Sequence, residues 1–102
     1  MTAFVAKLVI KPERRADFER WQTELRDLTH RFEPETPVYE LIRSRDDPNV
    51  YLCVATFTDD AAFDHHMKTE FHDRLVPGIL DCLAKEMDLA FYDIVGPAKR
   101  SA

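Results

Sequence analysis

Three of the four histidines, His65, His66 and His72, fall within eight consecutive residues. The ordinary pKa of imidazole lies near neutrality, so such a cluster suits proton transfer with a bound hydroxyl, or metal ligation. On one continuous helix His66, Glu70 and Asp73 would share a stripe at i, i+4 and i+7, offering an imidazole and two carboxylates to a cation. Thr69 reads as a helix cap that divides the segment, and acidic helix faces are ordinarily just solvated, so no metal is expected. Tyr39, Tyr51 and Tyr92 fall in strand-like runs. Each could donate a phenolic hydrogen bond into a pocket, or pack on a sheet with its hydroxyl at the rim. Cys53 and Cys82 lie in apolar segments without a Cys-x-x-Cys pair, which suits the reduced thiols of a cytoplasmic protein. The two glycines, Gly78 and Gly96, are too far apart to build a phosphate loop or a dinucleotide fingerprint.

The chain that must position these groups has 102 residues, the size of one domain. Its 14 basic against 19 acidic residues give a net charge of −5, so it lacks the electrostatic footprint of a nucleic-acid or anionic-membrane binder. No apolar run approaches the ~20 residues needed to span a bilayer. The start, MTAFVAKLVIK, has no charged region ahead of its apolar stretch and is not read as a signal peptide.

Residues 3–10 are β-branched and apolar and predict a strand. Pro12 and Glu13 suit a helix start. Phe18, Trp21, Leu25, Leu28 and Phe32 then repeat at 3, 4, 3 and 4, one apolar stripe with Trp21 in the core. Two prolines in 33–37 break the chain. Strands are predicted over 38–44, 50–58 and 87–95, a short helix capped by Asp59 or Asp60, and a further helix from Thr69 that Pro77 should kink or break. The order β-α-β-β-α-α-β is that of a ferredoxin-like split β-α-β sandwich: an α+β fold with a four-stranded antiparallel sheet and helices on one face. One domain is expected over 1–96, with 97–102 as a C-terminal tail. The strands are apolar on both faces, yet the chain has no second layer. A second copy is the simplest cover, so a homodimer is expected.

Several segments in this order resemble the antibiotic biosynthesis monooxygenase family of the dimeric α+β barrel superfamily. They are Lys11-Pro12 with its preceding strand, EPETPVYEL (33–41), RSRDDPNVYL (43–52), TDDAAF (58–63), HHMKTEFH (65–72) and the closing strand. The resemblance implies a dimer with sheets packed face to face and a pocket in each subunit between sheet and helices. It further implies oxidation of a quinol or polycyclic phenol by O₂ without metal or flavin, since an electron-rich phenolate can itself reduce oxygen. No cofactor is then expected, and the partners are a small aromatic substrate and O₂. The same fold also serves isomerases and non-catalytic small-ligand-binding proteins, the alternative reading.

In the family pattern a His commonly precedes a Thr or Ser by three residues, which His66 and Thr69 match. A second family His, two residues after that Thr, is here Phe71, with His72 one further on. The resemblance therefore makes His66 and His72 the catalytic candidates, with His65, Tyr39, Tyr51, Phe57, Phe63 and Phe71 as substrate-binding candidates. His66 is expected to face the pocket and take a proton from a substrate hydroxyl. The haem-degrading branch uses an Asn on the first strand, which this chain lacks, so that chemistry is rejected.

Overall fold

The computed structural model describes residues 1–96; the tail expected over 97–102 lies outside them. Strands β1 (Thr2–Val9), β2 (Val38–Arg43), β3 (Val50–Phe57) and β4 (Asp88–Asp93) form one sheet in the order β2-β3-β1-β4, antiparallel throughout. Helices α1 (Arg15–Phe32), α2 (Asp60–Met67) and α3 (Glu70–Asp81) complete the α+β sandwich, and Pro12 opens a short 3-10 turn ahead of α1. α3 runs on through Pro77, so the expected break does not occur. Proline removes one intrahelical hydrogen bond, and Pro77 lies on the exposed side of α3, where water can satisfy the freed carbonyl.

Strand alternation divides the sheet into two faces. Phe4, Ala6 and Leu8 of β1 and Tyr51, Cys53, Ala55 and Phe57 of β3 are buried against the helices. Register carries Leu89 and Phe91 to the same face, opposite Ala6 and Phe4. The other face holds Val5, Val9, Leu52 and Val54, all half-buried, with exposed Val38, Ile42 and Tyr92 at its edges. No element among the described residues lies over it.

The buried face of α1 is Phe18, Gln22, Leu25 and Thr29, not the expected stripe through Trp21, Leu28 and Phe32. Trp21 and Leu28 are half-buried at the border, and Phe32 is 55% exposed. Trp21 meets α3 at Gly78, where a Cβ would come within 3.1 Å of the indole ring. The guanidinium groups of Arg14 and Arg20 lie 5.9 and 5.4 Å from that ring. Trp21 is therefore a helix-to-helix spacer, and two polar residues occupy the inward stripe. Both consequences bear on the site.

Candidate active site

His66 is placed by a cap and a short helix. The Asp59 carboxylate accepts the Ala62 N–H at 2.8 Å and fixes the start of α2. One turn separates Ala62 from His66, and these are the two buried residues of that helix. Thr69 then accepts the His72 N–H at 3.3 Å and opens α3. The break between Met67 and Glu70 means that His66, Glu70 and Asp73 share no helical stripe. Among the described residues no three His, Cys, Asp or Glu side chains converge as a metal site requires.

Glu33, which the sequence presents only as part of a breaker, is the partner that sequence reasoning missed. It follows α1, where its N–H donates to Thr29 O at 2.9 Å and its carbonyl accepts from Thr36 N–H at 3.0 Å. The same loop is tied to the end of β3, Thr58 N–H donating to Glu35 O at 2.9 Å. That anchoring aims the Glu33 carboxylate inward. Its Oε2 lies 2.9 Å from His66 Nδ1, and the two side chains are 2% and 1% exposed. The other oxygen, Oε1, is buried with no hydrogen-bond partner among the described residues. An ion taken out of water is tolerated only with a close partner, so the carboxylate fixes the imidazole with Nδ1–H toward it. Nε2 is left as the nitrogen available to a ligand.

His66 lines a cavity of about 260 Å³ between helices and sheet. Its floor is Phe4, Ala6, Leu8 and Cys53, and Met67, Leu80, Met87 and Leu89 stand where α2, α3 and β4 meet. Met67, Leu80 and Leu89 are 42–46% exposed, an apolar rim around that end. Among the described residues the polar lining is Gln22, Tyr39, Cys53, His66 and His72. Burial pushes the Tyr39 hydroxyl well above its usual range and the Cys53 thiol up to about 11. Both are held protonated, which leaves the two imidazoles as the bases of the cavity.

The candidates read from the sequence divide. Tyr39, Phe63, His66 and His72 line the cavity together. The His72 and Tyr39 rings lie 5.0 and 5.1 Å from the His66 ring. Phe57 supports His66 from beneath at 5.6 Å without lining the cavity. Phe71 turns away and packs 6.3 Å from Phe32. His65, next to His66 on α2, is exposed and does not line the cavity. Tyr51 lies six residues along β3 from Phe57, too far to join them; its hydroxyl donates to Glu19 at 2.5 Å in a separate polar groove. Arg43 shares that groove and pairs with Glu19 at 3.4 Å rather than with the acidic turn that follows it.

The sequence profile of the antibiotic biosynthesis monooxygenase family matches residues 1–77, from β1 through the pair His66 and Glu33 into α3. The chain belongs to the antibiotic biosynthesis monooxygenase family. A solved antibiotic biosynthesis monooxygenase is 31% identical over 94% of this chain and all of its own, with a TM-score of 0.86. A Caulobacter crescentus protein, named as a candidate monooxygenase of this family, is 25% identical over 93% of this chain and 90% of its own, TM-score 0.89. A conserved protein of Methanosarcina mazei shares the fold at 23% identity over 89% of each chain, TM-score 0.85. No curated protein matches the sequence significantly.

His72 lines the cavity from the start of α3, half-buried beside His66. Burial first, and the neighbouring His66 second, hold its pKa below the usual 6.5. A folded-state pKa below the unfolded one means that the unfolded chain binds more protons between the two values. Stability is therefore full above about pH 6.5 and falls as the pH drops through that window. Urea unfolding at pH 7.5 and at steps down to pH 5 should show this decline, and His72→Gln should flatten it. An unchanged slope in His72→Gln would assign the pH dependence to other groups.

Proposed function

We propose that this protein is a cofactor-independent monooxygenase acting on a quinol or polycyclic phenol. The observation that carries the reading is the buried Glu33–His66 pair at the wall of a predominantly apolar cavity. A flat aromatic fits such a lining, and its hydroxyl donates to His66 Nε2. Glu33 orients the ring and stabilises the imidazolium as His66 takes the proton. The phenolate passes one electron to O₂, and superoxide joins the phenoxyl radical at a ring carbon ortho or para to the oxygen. The peroxide recovers the proton from His66. Loss of the hydrogen on that carbon with O–O cleavage leaves a quinone carbonyl and one water, so that ArOH and O₂ yield a quinone and H₂O. The protein contributes orientation, exclusion of water and one mobile proton.

Oxygen uptake with a panel of hydroquinones and naphthols, with and without chelator, tests this directly. Turnover should persist in chelator. His66→Asn keeps an N–H toward Glu33 at the Nδ1 position while removing Nε2, and should lower turnover by ~10²–10⁴. Binding of the same compounds without oxygen uptake would instead mark a small-ligand-binding protein of this fold.

The working unit on this reading is a homodimer joined through the helix-free sheet face, in the cytoplasm, where its two free, buried cysteines stay reduced. Val5, Val9, Leu52 and Val54 would form the centre of that interface, with Ile42 and Tyr92 toward its margins. It should bury ~1,200–2,000 Å², the span of stable association. Sedimentation at micromolar concentration should give a dimer, and Val54→Lys should give a folded monomer. A monomeric wild type would contradict this assembly.

A further inference from the structure

Gln22 is the polar group of the cavity that the chemistry above leaves unused. It is 4% exposed and stands between Phe18 and Leu25 on the inward stripe of α1, where an apolar side chain would pack without a desolvation cost. Its Nε2 reaches Tyr39 Oη at 3.4 Å and Cys53 Sγ at 3.7 Å. Both contacts are long beside the 2.9–3.0 Å at which N–H···O bonds cluster, and sulfur is a weak acceptor. A buried amide so loosely held still has donor capacity to give. Gln22, Tyr39 and Cys53 line the same cavity as His66, and among the described residues no Lys or Arg does.

The two polar stations are spaced along the sheet. His66 packs at a tilt against Phe57, and Gln22 reaches Cys53, four residues back along β3 or roughly 13 Å of strand. Tyr39 spans the interval, with its ring 5.1 Å from the His66 ring and its hydroxyl at Gln22. Gln22 and His66 thus lie on either side of the Tyr39 phenol, in one cavity.

We infer that Gln22 orients the substrate, donating from Nε2 to a second, uncharged oxygen at the end of the aromatic ring remote from His66. This rests on the proposed reading of the cavity and narrows it to aromatics with oxygens on opposite edges. A lining without a cation among the described residues favours a hydroxyl or carbonyl over a carboxylate at that second position. Two hydrogen-bonded ends and apolar walls would hold the ring in a single pose, presenting the same edge to O₂ in each turnover.

The test is calorimetric binding of 1,4-dihydroxynaphthalene and of 1-naphthol under argon, so that no oxidation intervenes. Wild type should bind the diol at least ~10-fold more tightly, the size of one useful hydrogen bond. Gln22→Leu should bind the two equally and melt no lower than wild type. Gln22→Met, closer in shape, serves should the Leu variant fail to fold. His66→Asn should weaken both compounds and keep the preference for the diol. A Gln22 variant that retains the full preference overturns the inference while leaving the His66 reading standing. A wild type that binds neither compound overturns both.

Discussion

A carboxylate buried to 2% exposure must have a partner, and Glu33 has His66. Much of this structure follows from that requirement. The loop after α1 has to be pinned to the end of β3, or Glu33 would swing to water. α2 has to start at Asp59, so that its second turn presents His66 inward. The helices have to stop between Met67 and Glu70, which lets α3 set His72 beside His66 and close the cavity wall. Three elements distant in sequence thus converge on one hydrogen bond. The fold accepts the desolvation of two polar groups there and gains an imidazole fixed in orientation.

The cavity that this pair borders is small, apolar and sparingly polar, the usual character of a small-molecule site. Its floor is one face of the sheet, and the opposite face bears the apolar residues that no helix among the described residues covers. The two faces are coupled through the strands. β1 and β3 alternate between cavity or core residues and residues of the uncovered face, so an interface there would stiffen the floor under the ligand. Members of the antibiotic biosynthesis monooxygenase family share this sheet and these helices.

Much of the fold was legible because strands and helices write different periods. Short β-branched and apolar runs marked β1 and β3, and turn residues separated β2 from β3. The site was legible only where a residue type carries chemistry on its face, as His66 and His72 do. Glu33 was hidden because two prolines beside it speak of a breaker, and its partner lies 33 residues away, where no local pattern could point. Gln22 was hidden for a related reason. One polar residue next to Trp21 reads as the border of the stripe, and the largest apolar side chain pulled the expected face of α1 toward itself. Gly78 explains the difference, since its missing side chain lets Trp21 sit between helices. Tyr51 shares the inward face of β3 with Cys53 and Phe57, yet six residues from Phe57 is roughly 20 Å of strand. Facing is periodic and readable, whereas position along a strand relative to a helix is set by tertiary packing.

The dependence of the site on the Glu33–His66 pair is open to one direct measurement, a double-mutant cycle read by urea unfolding. His66→Leu leaves the carboxylate buried without a partner and should cost ~3–5 kcal/mol. Glu33→Leu leaves an imidazole N–H unsatisfied and should cost ~1–3 kcal/mol. The double variant replaces the pair by apolar side chains and should cost less than His66→Leu alone, a strongly non-additive result. Single changes that are each nearly neutral, or that add within about 0.5 kcal/mol, would show the two side chains to be uncoupled and contradict the account.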